Sequence, residues 1–359
     1  MRLAKILTGC LILLISFTSQ TPGAQTVTLA WDPILQPDLA GYRVHRGTAS
    51  GDYTQTTDVG NTTRTVISNL TDGTTNYFAV TAYNTAGLES APSNEVAYPN
   101  PSHLANISTR VNVGVNDNVL IGGFIVRGPQ PKQLIVRARG PSLTAAGVTG
   151  AMANPMLELH DSTGALIASN DNWQTGGQAS QISASGLAPS NSLESAIIAT
   201  LPSGDYTAIV RGANNTTGIA LVEVYELDST TTRLVNVSTR GPVGVNDDVL
   251  IGGFIVTGSL PKQLIVRALG PSLTAAGVTG AMANPMLELH DSTGALIASN
   301  DNWQTGGQAS QISASGLAPS NPLESAIIAT FAPGNYTAIV KGVNNTTGVG
   351  MVEVYDLDP

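Results

Sequence analysis

A stretch of fourteen residues, HDSTGALIASNDNW, could supply a metal or catalytic site, and it occurs twice. The first copy runs from His160 to Trp173 and the second, letter for letter, from His290 to Trp303. Each copy holds a histidine, two aspartates and two asparagines, which are side chains that bind metal ions or transfer protons. The same residue types also favour tight turns, so the stretch could instead be a structural hairpin.

The first half of this stretch is typical of a turn. Asp161 and Gly164 hold the first and fourth positions of a type I turn, where these residue types are preferred. Asp171 then lies along the returning strand, roughly 20 Å from Asp161 at about 3.3 Å per residue. The two carboxylates therefore cannot share one ion. His160 and Asp161 would point to opposite faces of a strand, so they do not form a ligand pair.

The second half keeps side chains that could meet a ligand. The candidate ligand-binding residues are Asn170, Asp171, Asn172 and Trp173, with Asn300, Asp301, Asn302 and Trp303 in the second copy. Calcium needs about six to eight oxygen ligands, and its candidate carboxylates are Asp171, Asp301, Asp117 and Asp247. Asx-turn capping is the alternative for these residues. No other cofactor is expected, because one histidine and no cysteine per repeat disfavour zinc.

Trp173 raises a separate hypothesis of carbohydrate binding. It follows Asn172 and precedes Gln174, and an apolar ring flanked by amides is the combination that a sugar-binding surface uses. A single tryptophan in a domain of this size also fills a core or closes a loop, which is the alternative.

The sequence offers few residues that could form a catalytic site. A nucleophilic serine needs a histidine and an acid beside it, whereas His160 is the only histidine of its repeat and lies at the predicted turn. No Gly-x-Ser-x-Gly elbow occurs. Asp171 and Glu194 would suit a glycosidase only if the fold held them about 5 to 10 Å apart. We predict that the protein is not an enzyme.

The amino-terminal residues predict export. Arg2 and Lys5 precede the apolar run ILTGCLILLISF, and small and polar residues follow, which is the layout of a signal peptide over residues 1–24. The run is too short for a membrane span. Cys10, the only cysteine, would leave with the leader, so the secreted or periplasmic chain from Gln25 has no disulfide. Removal of Arg2 and Lys5 takes the net charge from −9 to −11, which argues against nucleic acid as a partner.

An internal repeat organises most of the chain. Residues 104–228 and 234–358 align without a gap at an offset of 130, so we predict two domains, 104–228 and 234–359, each with its own core. Each copy holds eight strand-like segments separated by turn residues, which predicts an all-β, jelly-roll-like sandwich. The segments 141–155 and 174–192 are poor in β-branched residues and are expected to be long connections with a helical turn.

Residues 26–98 resemble the fibronectin type III family, and with the sequence upstream they define a predicted domain at 25–98. The resemblance rests on VTLAWD, AGYRVHRG, NYFAVTAYN and AGLESAPSNEV. It implies a seven-stranded sandwich with Trp31 as the core tryptophan of the second strand. The sequence departs from the family motif at LTDGTTNY, because Asn76 takes the place of the corner tyrosine. Tyr77 is then expected to face outward, and Phe78 and Val80 inward.

The second half of each repeat is similar to the bacterial pre-peptidase C-terminal domain, on the residues DSTGALIASND, ESAIIATLPSGDYTAIVRG and VEVYEL. The first half resembles uncharacterised secreted bacterial repeats. These resemblances and the composition predict a secreted, non-enzymatic binding or spacer protein that associates with a polysaccharide or a cell-surface protein. Two alternatives stay open: a specific carbohydrate-binding module that uses Trp173 and Trp303, and an accessory part or remnant of a secreted hydrolase.

Overall fold

The structure is a computed structural model that describes residues 14–16, 25–70, 75–98, 102–116, 118–228, 232–246, 248–258 and 260–357. The chain divides into two compact units. The first comprises residues 1–102 with 258–260, and the second comprises residues 103–257 with 261–359. The predicted signal peptide lies outside the described residues except for 14–16.

The first unit is a sandwich of two antiparallel sheets. Its strands are β1 (Leu14–Ser16), β2 (Gln25–Ala30), β3 (Leu39–Gly47), β4 (Gln55–Gly60), β5 (Arg64–Leu70), β6 (Asn76–Asn84) and β7 (Val96–Tyr98). One sheet has the order β1-β2-β5 and the other β4-β3-β6-β7. The predicted sandwich is confirmed. Its strand count differs from the expected seven, because the described part of the predicted domain at 25–98 holds six strands, β2 to β7, and β1 lies in the predicted signal peptide.

Trp31 lies at the centre of this sandwich, one residue after the end of β2. Its ring meets Tyr42 edge-on at a centroid distance of 5.6 Å, and both side chains are buried. Phe78 and Val80 are fully buried while Tyr77 is half-buried, as the period-two alternation of β6 predicts. Asn76 is buried and accepts a hydrogen bond from Arg46 Nε at 2.8 Å.

The second unit holds both repeats, and each repeat has the eight predicted strands. The first repeat has β8 (His103–Val113), β9 (Leu120–Arg127), β10 (Lys132–Arg139), β11 (Pro155–His160), β12 (Leu166–Asn170), β13 (Ser195–Leu201), β14 (Gly204–Gly212) and β15 (Gly218–Glu226). The second has β16 (Arg233–Val243), β17 (Leu250–Thr257), β18 (Lys262–Leu269), β19 (Pro285–His290), β20 (Leu296–Asn300), β21 (Ser325–Phe331), β22 (Gly334–Gly342) and β23 (Gly348–Asp356).

Short helices occur in the long connections, as the sequence predicts. They are α1 (Pro141–Ala145), α2 (Ala179–Ala184) and α3 (Ala309–Ala314), with a 3-10 turn at Pro271–Thr274 in the position equivalent to α1. Two more 3-10 turns, Ala213–Asn215 and Val343–Asn345, lie outside these connections, between the last two strands of each repeat. Within the described ranges, none of the helices has the length and apolar character that crossing a bilayer requires.

Strand order within each repeat is that of a jelly roll. In the first repeat, one sheet has the order β13-β10-β15-β8 and the other has β9-β14-β11-β12. Numbered from the start of the repeat, these are strands 6-3-8-1 and 2-7-4-5. The second repeat has the same order. The predicted all-β, jelly-roll-like fold is therefore confirmed.

The two repeats exchange strand partners at their junction. β8 of the first repeat pairs with β17 of the second, and β16 of the second pairs with β9 of the first. Each sheet of one repeat thus continues into a sheet of the other, which gives two ladders of eight strands. Among the described residues, the two ladders are connected by one pair of residues, Leu104 of β8 and Leu234 of β16.

The exchange has approximate two-fold symmetry. Thr109 is opposite Gly252 in one ladder, and the equivalent Thr239 is opposite Gly122 in the other. The four strands at the junction would otherwise be open sheet edges with unpaired backbone N–H and C=O groups. Each repeat therefore completes the hydrogen bonding of the other.

One hydrophobic core contains residues of both repeats, and each repeat also has a smaller cluster of its own around Trp173 or Trp303. Phe124 stacks on Tyr206 and the equivalent Phe254 stacks on Tyr336, each pair at a centroid distance of 5.5 Å. The expectation that each copy has its own core is corrected, because the exchanged strands contribute apolar side chains to a continuous interior. The boundaries 104–228 and 234–359 stay a prediction.

The paired glycines of VLIGGFIV permit this close junction. A Cβ atom at Gly123 would lie 2.6 Å from Ser238 Oγ, and one at Gly253 would lie 2.5 Å from Ser108 Oγ. A larger residue at either position would require the facing serine side chain to move.

Candidate functional site

The first half of the duplicated stretch is a turn, as predicted. The N–H of Gly164 donates to the carbonyl of Asp161 at 3.0 Å, and Gly164 has a φ of +83°. Asp161 Oδ1 accepts from the N–H of Thr163 at 2.8 Å and of Ala165 at 3.0 Å. Hydrogen bonds from the Thr163 side chain, and from these two N–H groups, lower the pKa of Asp161. The carboxylate of Asp161 therefore accepts hydrogen bonds within its own turn, and Asp291 accepts the equivalent ones in the second repeat.

Asn170 and Asn300 connect strands instead of facing solvent. Asn170 Oδ1 accepts from the N–H of Ala196 at 3.0 Å, and its Nδ2 donates to the carbonyl of Asn172 at 3.2 Å. Asn300 makes the equivalent bonds in the second repeat. Both side chains are buried. Their hydrogen bonds give these two residues a structural role at the end of the hairpin.

Trp173 is also buried, with 8% of its surface exposed. Its Nε1 donates to the carbonyl of Asn191 at 3.1 Å, and its ring packs with Ile135, Ile182 and Ala196. The ring therefore pins the long connection and α2 against β10 and β13. Trp303 is 8% exposed and has the equivalent neighbours. Neither ring offers an open face, so the stacking surface that the carbohydrate hypothesis needs is covered.

The remaining residues of the loops are less enclosed. Asp171 is exposed, while Asn172, Asp301 and Asn302 are half-buried. The Oδ1 atoms of Asn172, Asp301 and Asn302 are buried and have no hydrogen-bond partner among the described residues. These atoms retain unused acceptor capacity. Ligand binding by the loops stays a prediction.

The predicted calcium site is only partly within the described chain. Asp117 and Asp247 lie outside the described residues. Across the described ranges, no group of three or more histidine, cysteine, aspartate or glutamate side chains is positioned to hold a metal. Calcium binding at Asp171 and Asp301 therefore stays a prediction.

Glu194 has a structural task that the sequence does not reveal. Its side chain is fully buried, and Oε1 accepts from the N–H of Gly140 at 3.0 Å and of Ser142 at 2.9 Å. It therefore holds the start of α1, where the unpaired N–H groups of a helix favour an anion. Glu324 does the same for the 3-10 turn of the second repeat. The pairing of Asp171 with Glu194 as glycosidase carboxylates is not supported by this use of Glu194.

A buried charged cluster repeats in both copies and was not predicted. Arg137 donates to Glu223 Oε2 at 2.6 Å and lies over the ring of Tyr225, whose hydroxyl donates to Glu223 Oε1 at 3.0 Å. Burial, helped by the Glu223 carboxylate, raises the pKa of Tyr225 to about 12. The sequence signal is an arginine inside the apolar run KQLIVRA. Arg267, Glu353 and Tyr355 form the second copy.

A cleft of about 710 Å³ lies between the repeats, at the ends of β8 and β16. Its lining includes Gly114 and Asn118, which follow β8, and Gly244 and Asp248, which follow β16. The N–H groups of Gly114 and Gly244 each donate a backbone hydrogen bond. The acceptors are the carbonyls of Asn118 at 2.7 Å and Asp248 at 2.5 Å. Both repeats contribute lining residues, so the cleft exists only because the strands are exchanged.

The described residues that line the cleft give it both polar and apolar surface, and none of them is basic. Its edge carries the amides of Asn112 and Asn118, the carboxylate of Asp248 and the hydroxyls of three threonines. Its two halves differ, because Pro242 and Asp248 occupy the positions equivalent to Asn112 and Asn118. The sequence alone could not place Asn118 and Asp248, which are 130 residues apart, at the same cleft.

Comparison with known protein families identifies the first unit. The family model of the fibronectin type III domain matches residues 15–97. Residues 15–97 are a fibronectin type III domain. The match begins ten residues before the predicted mature start at Gln25, and includes part of β1. The resemblance of the repeats to the pre-peptidase C-terminal domain stays a prediction.

Three other proteins show more distant similarity to this chain. A Kelch domain-containing protein of Saccharolobus solfataricus is 33% identical over 124 residues, which are 31% of this chain and 16% of that protein. An α-L-rhamnosidase from Dictyoglumus thermophilum is 9% identical, with a TM-score of 0.20 over 95% of this chain and 48% of that one. The FN1–FN3 domains of chicken CNTN1 are 10% identical, with a TM-score of 0.22 over 97% of this chain and 93% of that one. TM-scores of this size do not establish a shared fold.

Proposed function

We propose that the protein is a non-enzymatic spacer and binding protein that works outside the cell. Fibronectin type III domains and jelly-roll sandwiches present loops on a stable scaffold, which suits binding or spacing. The formal net charge of −9 and a charged fraction of only 11% favour a neutral partner, such as a polysaccharide, over nucleic acid.

The exchange of strands between the repeats is the observation that carries this proposal. Separating the repeats would break two strand pairings, β8 with β17 and β16 with β9, and open a common core. Tandem domains on a flexible tether gain avidity by binding independently. These repeats are instead joined into one unit, so they act as a stiff support with a shared surface at the cleft.

Export is tested by fractionation and amino-terminal sequencing of a tagged chain expressed in a bacterium. We expect the protein in the periplasm or the medium, beginning at Gln25. Cleavage there removes β1, which pairs with β2 at the edge of its sheet over Leu14–Ser16, so the rest of the sandwich keeps its pairing. A chain that stays in the cytoplasm with its leader intact would contradict the extracellular assignment.

Binding is tested by sedimentation of the exported protein with cellulose, chitin, xylan and washed bacterial cells. We expect retention on at least one of these surfaces, above that of an unrelated acidic protein of similar size. Release of reducing sugar from any of the polysaccharides would contradict the non-enzymatic assignment. If the protein binds none of the polysaccharides and does not bind the cells, the binding role is contradicted.

A further inference from the structure

In the described part of the chain, the cleft between the repeats is lined by residues of both repeats together, whereas each of the duplicated loops belongs to one repeat. The first repeat contributes Asn112, Asn118 and Thr217 to its lining. The second repeat contributes Asp248, Thr279 and Thr347, among others. A ligand in this cleft would therefore contact both repeats at once.

The lining chemistry selects a neutral, hydroxyl-rich ligand. The side chains of Asn112, Thr217, Thr279 and Thr347 donate and accept hydrogen bonds without carrying charge. Pro242 is half-buried and adds apolar surface of the kind that the C–H faces of sugar rings contact, whereas Val113, Val243 and Val349 are buried behind it. The described lining residues include no Lys, Arg or His, which disfavours phosphate and other anions, and Asp248 disfavours them further.

The size of the cleft also suits a small ligand. Its volume of about 710 Å³ falls within the range of about 300–1,000 Å³ that is usual for small-molecule sites. Such sites combine apolar walls with a few placed polar groups, and both are present here.

We propose that this cleft binds a short segment of a neutral polysaccharide, with one site per chain. The proposal rests on the extracellular binding role and adds the ligand class, the place and the stoichiometry. Asn112 and Pro242, which hold equivalent positions in the two repeats, both line the site, and the difference between them gives the ligand a single preferred orientation. The two sites per chain that Trp173 and Trp303 would provide are thereby distinguished from this one.

The chain itself offers a matched pair of variants. Thr279 lines the cleft, whereas Thr149, its equivalent in the first repeat, is absent from the lining. Both threonines are exposed and lie in the same local sequence, GVTGAM. Thr279→Gln and Thr149→Gln therefore make the same change in the same local surroundings. Only Thr279→Gln places extra bulk in the cleft.

The experiment is calorimetric titration of the full chain with neutral oligosaccharides of the cellulose, chitin, xylan and mannan series. We expect one oligosaccharide bound per chain. Thr279→Gln should weaken binding about tenfold or more, Asn112→Ala about three- to tenfold, and Thr149→Gln less than twofold. Thermal unfolding of the three variants checks that each remains folded.

Three outcomes would overturn the proposal. They are binding of two equivalents per chain, equal effects of Thr279→Gln and Thr149→Gln, and no binding of any oligosaccharide in the four series. In each case the proposed function survives if the protein still sediments with polysaccharides or cells. If sedimentation also fails, the proposed function fails with it.

Discussion

The hydroxyl oxygens of Thr109 and Thr239 are hydrogen-bonded to each other at 2.7 Å in the interior of the double sandwich. Both residues are fully buried, and each is the equivalent of the other at the repeat offset of 130. They lie on β8 and β16, the two strands whose partners are exchanged. This contact of a residue with its own copy marks the position of the approximate two-fold axis.

The threonine pair predicts a non-additive mutational effect. Thr109→Val or Thr239→Val alone leaves one buried hydroxyl without a partner, which lowers the free energy of unfolding by about 1–3 kcal/mol. The double variant replaces both hydroxyls with methyl groups of similar shape, so it should be more stable than the sum of the single changes predicts. Urea unfolding of the unmodified protein, the two single variants and the double variant measures this double-mutant cycle. Exposed Thr57→Val is the control, with an expected change under about 0.5 kcal/mol. Additive effects would contradict the contact.

The strand exchange predicts that a broken chain stays assembled. A protease site inserted between Asp228 and Thr232 would separate the repeats covalently after cleavage. We expect both fragments to elute together from a sizing column, because two strand pairings and a continuous core still join them. In urea the same fragments should elute apart, which is the control. Separate elution under native conditions would contradict the exchange.

Because Trp173 is buried, we expect its replacement to change the stability of the protein and not its affinity for oligosaccharides. Trp173→Ala removes a packed ring from between the long connection and β13, and should lower the free energy of unfolding by about 3–5 kcal/mol. Gln174→Ala, at an exposed neighbour, should change it by less than about 0.5 kcal/mol. Denaturant unfolding measures both. If Trp173→Ala weakened oligosaccharide binding while leaving stability unchanged, the ring would be a ligand contact instead.

The buried tyrosines predict a loss of stability in alkali. Burial raises the pKa of Tyr225 and of Tyr355 to about 12 in the folded protein, compared with about 10 in an unfolded chain. The unfolded state therefore loses these protons first, so stability is complete below about pH 10 and falls as the pH rises towards 12. The slope is about 1.4 kcal/mol per pH unit for each tyrosine. Unfolding of Tyr225→Phe and Tyr355→Phe should show a shallower decline; an unchanged decline would contradict the shifts.

Local sequence determined much of this protein. The eight strands of each repeat, the turn from Asp161 to Gly164 and the inward direction of Phe78 follow from alternation and turn chemistry, which involve residues close together in the chain. The fibronectin type III domain was recognised for the same reason. Its core tryptophan, Trp31, continues the alternation of Val27 and Leu29 and lies one residue after the end of β2.

Tertiary structure decided what the sequence left open. The strands β8 and β16 have similar sequence patterns. No local pattern shows whether the open edge of a sheet pairs within its own repeat or with the other repeat. The burial of Trp173 and Glu194 depends on the path of a long connection across β10 and β13, and the cleft depends on two segments that are 130 residues apart. Periodicity and turn signals report local geometry. Contacts between distant segments are settled only when the whole chain packs.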